Sequence, residues 1–172
     1  MRLGTASLIG LVLCTVQTRA DELPSRKPGA WEVRQVIGTA KTSPLVVKQC
    51  IDAATDHLLQ SSTGPYSADL CPTRSVQKSA DGMTIDSTCT IAGKTAKTHA
   101  VIAGSFDSAY KMTVTSQGEG VPGNDLTLSL EAKWLGPCAA DQKPGDLVMG
   151  NGIKLNILDA QKQGAGPTPP TR

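Results

Sequence analysis

Four cysteines, Cys50, Cys71, Cys89 and Cys138, are spread through a region that holds only five aromatic side chains, Trp31, Tyr66, Phe106, Tyr110 and Trp134. A core that light gains little from burial alone, so covalent links between distant segments decide which folds are within reach. Whether such links form depends on the compartment. Met1 and Arg2 make a short positive start, Leu3 to Val16 is apolar or small, and Thr18-Arg19-Ala20 puts small residues at both specificity positions of a signal-peptidase site. Residues 1–20 therefore read as a signal peptide cleaved after Ala20. The apolar run is shorter than the roughly 18 to 20 residues that span a bilayer. A fifth cysteine, Cys14, lies in that run, but a lipid-attachment site prefers a small residue before the cysteine and here Leu13 precedes it.

Removing the first 20 of the 172 residues leaves 152, a size that suits one domain. Arg2 and Arg19 leave with the signal, so the 17 basic residues fall to 15 and equal the 15 acidic ones. The formal charge of +2 belongs to the signal. With no basic patch and few aromatics there is no electrostatic footprint for nucleic acid or for an anionic membrane surface. The expected location is periplasmic or secreted, with no transmembrane segment after signal cleavage.

An even set of cysteines in an exported chain points to disulfides. Three pairings exist, and local geometry favours one. Cys71 and Cys89 flank a turn at Ser79-Ala80-Asp81-Gly82, so a hairpin sets them opposite each other. Cys50 is left with Cys138, 88 residues along the chain. In the chain-entropy picture the long loop is worth roughly 4 kcal/mol and the short one roughly 3 kcal/mol. A zinc site would bring cysteines in close pairs, whereas the spacings here are 21, 18 and 49.

Between the cysteines the dominant signal is alternation. Trp31, Val33, Gln35 and Ile37 alternate with Glu32, Arg34 and Val36; Gly38 to Pro44 makes a turn, and Leu45 to Gln49 is a second strand. Asp52 reads as the N-cap of a helix of about two turns carrying Leu58 and Leu59 and ended by Ser61 to Pro65. Met83, Ile85, Ser87, Cys89 and Ile91 share one strand face, and Ala96, Ala100 and Ile102 stand opposite Lys97 and His99. Tyr110, Met112 and Val114 alternate with threonines and a lysine, and Leu126, Leu128, Leu130, Ala132 and Trp134 with polar residues. Asn151-Gly152 is a two-residue hairpin signal. The fold class is mainly β, an antiparallel meander forming a curved sheet or partly open barrel with one wet face, one short helix and two disulfides. Residues 21–159 form a single β-rich domain, and 160–172, rich in Gly, Pro, Thr and Gln, a disordered tail.

The sequence carries no catalytic motif. His57 and His99 are the usual kind of base, but neither sits in a catalytic pattern, and an exposed histidine is the plainer account of each. No nucleophile elbow, HExxH pair, phosphate loop or dinucleotide fingerprint occurs. Asp81 and Asp86, like Asp141 and Asp146, bracket turns without the alternating oxygen ligands of a calcium loop. No catalytic residue, cofactor or metal is expected.

Lys27-Pro28-Gly29-Ala30-Trp31-Glu32-Val33, Val47-Lys48-Gln49-Cys50-Ile51 before a small helix, Cys71 and Cys89 around a hairpin, and Trp134-Leu135-Gly136-Pro137-Cys138 occur in this order. Together they resemble the bacterial exported family called domain of unknown function 3617, from about Lys27 to Cys138, and Lys143-Pro144-Gly145-Asp146 extends the likeness. The resemblance implies an exported β-rich domain and assigns no activity, substrate, cofactor or catalytic residue. This chain has few methionines in its strands, where relatives are often richer, which gives a thioether copper site no support.

A one-sided apolar sheet without attached chemistry suggests a binding domain whose face of Ile85, Ile102, Tyr110, Met112, Leu128, Leu130 and Trp134 meets a small apolar, lipid-like ligand or an envelope protein. The plainer expectation for that face is a closed core. Two rival functions are a hydrolase using His99 with a threonine or aspartate of the wet face, and a structural or stress factor of the cell envelope recognised through an exposed strand edge.

Overall fold

The computed structural model describes residues 23–38, 43–62, 71–91 and 93–163, and within them the alternating segments pair as antiparallel strands. Nine strands form one sheet in the order β3-β4-β5-β6-β7-β1-β2-β8-β9. Strands β3 (Thr73–Ser79), β4 (Gly82–Ile91), β5 (Lys94–Ser105), β6 (Ala109–Gln117) and β7 (Asp125–Gly136) are the expected meander. The first hairpin, β1 (Gly29–Ile37) and β2 (Leu45–Ile51), joins it through β1 on β7, and the last one, β8 (Asp146–Met149) and β9 (Lys154–Asn156), extends it beyond β2. The sheet stays open, with β3 and β9 at its edges.

One face of the sheet is dry because the register stacks the apolar alternates. Trp31, Val33, Ile85, Ala100, Ile102, Val114 and Ala132 are all nearly inaccessible and belong to one core. Ser87 and Thr98 lie on the same face and satisfy each other's hydroxyls, so two polar side chains enter the core without an orphaned group. The opposite face carries Lys111 and Glu131 in a solvated cross-strand pair 2.7 Å apart.

Helix α1 (Ala53–Ser62) covers part of the dry face. Asp52 caps it as expected: the Thr55 N–H donates to Asp52 Oδ1 at 2.8 Å and the Asp52 N–H to Thr55 Oγ1 at 2.9 Å. Hydrogen bonds from Thr55 hold the Asp52 carboxyl below its ordinary value. The helix turns Thr55, Asp56 and Leu59 fully inward, while Leu58 is half-buried against the core.

Both disulfides join the expected partners. Cys71–Cys89 links the lead into β3 to β4, and Cys50–Cys138 ties the end of β2 to the residue two past β7, across the start of β1. Two local features differ from expectation. A second helix, α2 (Ile157–Lys162), follows β9, capped by Asn156, whose side chain accepts from the N–H groups of Leu158 and Asp159. The Asn151-Gly152 turn is wider than a two-residue hairpin, because the Met149 N–H pairs with the Ile153 carbonyl and the Asn151 side chain accepts from the Ile153 N–H. The signal segment 1–20, Tyr66, the middle of the 38–44 turn, the helix end beyond Ser62 and the tail beyond residue 163 lie outside the described residues.

Candidate functional site

The dry face is not packed shut along its whole length. A cavity of about 300 Å³ lies between β5, β6, β7 and β1 on one side and α1 with the lead segment before β1 on the other. Its apolar floor is Ile102, Tyr110, Met112, Leu128 and Leu130, five of the seven residues assigned to the apolar face from sequence. The other two are elsewhere. Ile85 is 1% exposed within the core, and Trp134 packs at the opposite end of β7, where its indole N–H donates to the Pro28 carbonyl and Lys27 sits 3.8 Å over its ring.

The roof was not legible in advance, because its residues belong to no alternating strand. Leu23, Leu59 and Gln60 contribute to it, and Arg26 fixes it. The Arg26 Nε donates to Asp56 Oδ1 at 2.7 Å, its backbone N–H to Asp56 Oδ2 at 2.7 Å, and its Nη1 to Gln49 Oε1 at 2.8 Å. Gln60 completes the cluster with a bond to Asp56 Oδ2 at 2.8 Å. Arg26 is 5% exposed and Asp56 fully buried, so this ion pair clamps the chain before β1 to α1 over the sheet. The available sequence signal was the i, i+3 spacing of Asp56 and Leu59, which puts a carboxylate on the buried side of the helix. Burial raises the Tyr110 phenol above its ordinary value, with Arg26 opposing the shift and Asp56 adding to it.

The histidines lie away from the cavity lining. His57 is exposed on α1. His99 does meet an acid, with Nδ1 2.7 Å from Asp86 Oδ1, but both side chains are about half exposed. Thr115, the cross-strand neighbour of His99 on β6, donates to the His99 backbone carbonyl. Among the described residues no three His, Cys, Asp or Glu side chains come close enough to hold a metal ion, and no helix is long and apolar enough to cross a membrane.

The sequence motifs meet at one corner of the sheet. Trp31 donates its indole N–H to the Lys27 carbonyl at 2.8 Å, Ala30 pairs with Gly136, and the Gly145 N–H donates to the Cys50 carbonyl. Gly29 must lack a side chain, since a Cβ there would stand 2.4 Å from the Gly136 carbonyl oxygen.

These features define a disulfide-stapled, open antiparallel sheet with a partly roofed apolar cavity. The chain belongs to the family described as protein of unknown function, DUF3617, whose model matches residues 26–138. That span runs from the arginine of the cavity roof to the second cysteine of the long disulfide. Neither the curated proteins nor the solved structures contain a match.

Proposed function

We propose that this domain is a non-enzymatic binding module of an oxidising, extracytoplasmic space, periplasmic or secreted, and holds a small apolar ligand between the sheet and α1. The carrying observation is the cavity: an apolar floor from three neighbouring strands and a roof clamped by the Arg26–Asp56 pair. Its volume is at the lower limit of small-molecule sites, which bury an apolar body and orient it with a few polar groups. The two disulfides support the oxidising location.

Native mass spectrometry of protein purified from its own host, together with titration by an environment-sensitive apolar dye, tests the reading. A copurified small molecule or saturable dye binding is expected. Leu128→Trp, which fills the cavity from a half-buried position, should weaken dye binding about tenfold or more. No copurified ligand and no dye binding by the natural sequence would remove the proposal.

The Asp86–His99 contact favours a second reading, a hydrolase of unknown substrate. Its weakness is that Thr115, the cross-strand hydroxyl next to His99, is engaged with the backbone. A generic esterase, glycosidase or peptidase activity that disappears in His99→Ala would put this reading first; undetectable activity in the natural sequence ends it.

A further inference from the structure

The electrostatics of the cavity narrow what can enter it. Among the described residues that line it, Arg26 alone is charged; the other polar groups are the amides of Gln35, Gln49 and Gln60 and the Tyr110 phenol. A lone arginine in an apolar pocket would ordinarily mark a site for a carboxylate or phosphate. Arg26 already has that partner. The Asp56 carboxylate accepts three hydrogen bonds, two from Arg26 and one from Gln60, and is inaccessible to solvent. The pair is neutral as a unit, and an anion that reached the guanidinium would also meet the Asp56 carboxylate, 2.7 Å from Arg26 Nε.

An anionic headgroup would therefore give up water, meet no net positive charge and feel the repulsion of Asp56. Uncompensated ions pay several kcal/mol in such surroundings. A hydroxyl, amide or ester carbonyl meets no such barrier, and primary amides can both donate and accept. Gln60 donates to the Pro24 carbonyl and to Asp56 through its nitrogen, which leaves its oxygen as an acceptor, and Gln49 uses its oxygen on Arg26, which leaves its nitrogen as a donor.

We infer that the cavity selects an uncharged amphiphile, with a hydrogen-bonding head at the glutamine and Arg26 end and a single short apolar chain over Met112, Leu128 and Leu130. This rests on the cavity reading above. A volume of about 300 Å³ accommodates roughly ten non-hydrogen atoms at about 30 Å³ each.

The test is displacement of the bound apolar dye by a chain-matched set, 1-octanol, octanamide and octanoate, at about pH 8, where octanoate is ionised, each below its micelle-forming concentration. Octanol and octanamide should displace the dye at concentrations at least about tenfold lower than octanoate, a factor worth about 1.4 kcal/mol. Asp56→Asn leaves the Arg26 charge uncompensated and should shift the preference toward octanoate; if that variant fails to fold, the comparison on the natural sequence still decides. Octanoate displacing as well as the neutral compounds would overturn the inference while leaving the cavity reading intact. A protein that binds neither dye nor any member of the set would overturn both.

Discussion

Asp146 is 2% exposed and still ionised. Burial pushes its carboxyl up, but the Lys143 backbone N–H, the Asn156 amide and the Lys154 ammonium outweigh that and bring it down from 3.8 to about 2. A carboxyl with a lowered folded value contributes stability that is present above its unfolded value and is lost as pH falls through the folded one. The window is thus from about 4 down to about 2, and because Lys154 is 42% exposed and partly screened, the contribution is roughly 1–2 kcal/mol. Thermal unfolding across that range should show Tm falling with acidity in the natural sequence and falling less in Asp146→Asn. At neutral pH the variant should melt about 3–6 °C lower. Gly29 makes a different demand, since its φ of +132° and the 2.4 Å approach to the Gly136 carbonyl leave a side chain no room. Gly29→Ala should cost at least roughly 2 kcal/mol in a denaturant titration. Gly152→Ala, with a φ of +83° but open space around it, should cost less.

The two disulfides act at different ranges: one spans strands that the backbone ladder does not join directly, and the other reinforces the β3–β4 pairing. Cys50–Cys138 links β2 to the end of β7 with β1 lying between them, and its loop is 88 residues long; Cys71–Cys89 closes only 18. Replacing Cys50 and Cys138 by alanine should lower unfolding free energy by roughly 4–5 kcal/mol, and replacing Cys71 and Cys89 by roughly 3 kcal/mol, measured by urea titration of the otherwise oxidised protein. Both pairings were legible from the sequence because a strong turn at Ala80-Asp81 fixed one of them and left the other no choice. The strands were legible for a similarly local reason: Leu126 to Trp134 alternates so regularly that only one register buries its leucines. Helix α2 was not, because six residues carry too little periodicity and its stability comes from the Asn156 cap and the burial of Ile157. The cavity was half legible. Its floor follows from alternation, whereas its roof depends on Arg26 meeting Asp56, 30 residues apart, and no local pattern announces that contact.

Strand order determines how much of this open sheet is left for another strand to add to. The meander from β3 to β7 could end at β7, but β1 docks there and carries β2, β8 and β9 with it, so the long strands are paired on both sides and, among the described residues, the unpaired edges fall to the seven-residue β3 and the three-residue β9. Short edges and edge charges are the usual means of preventing strands from adding to a free ladder. Strand β3 follows that pattern, since Thr73-Arg74-Ser75-Val76-Gln77-Lys78-Ser79 has one apolar side chain, Val76, turned to the core, and exposed polar groups at Ser75, Gln77 and Lys78. Replacing Ser75, Gln77 and Lys78 together by valine should turn the edge into a template for a second copy, seen as dimers or larger species in size-exclusion chromatography with light scattering. Valine at Thr113 adds exposed apolar surface on β6, a strand paired on both sides, and should leave the association state as it is in the natural sequence. If the Thr113 variant associates as readily as the β3 variant, surface hydrophobicity and not the free edge governs association, and the protection assigned to β3 is wrong.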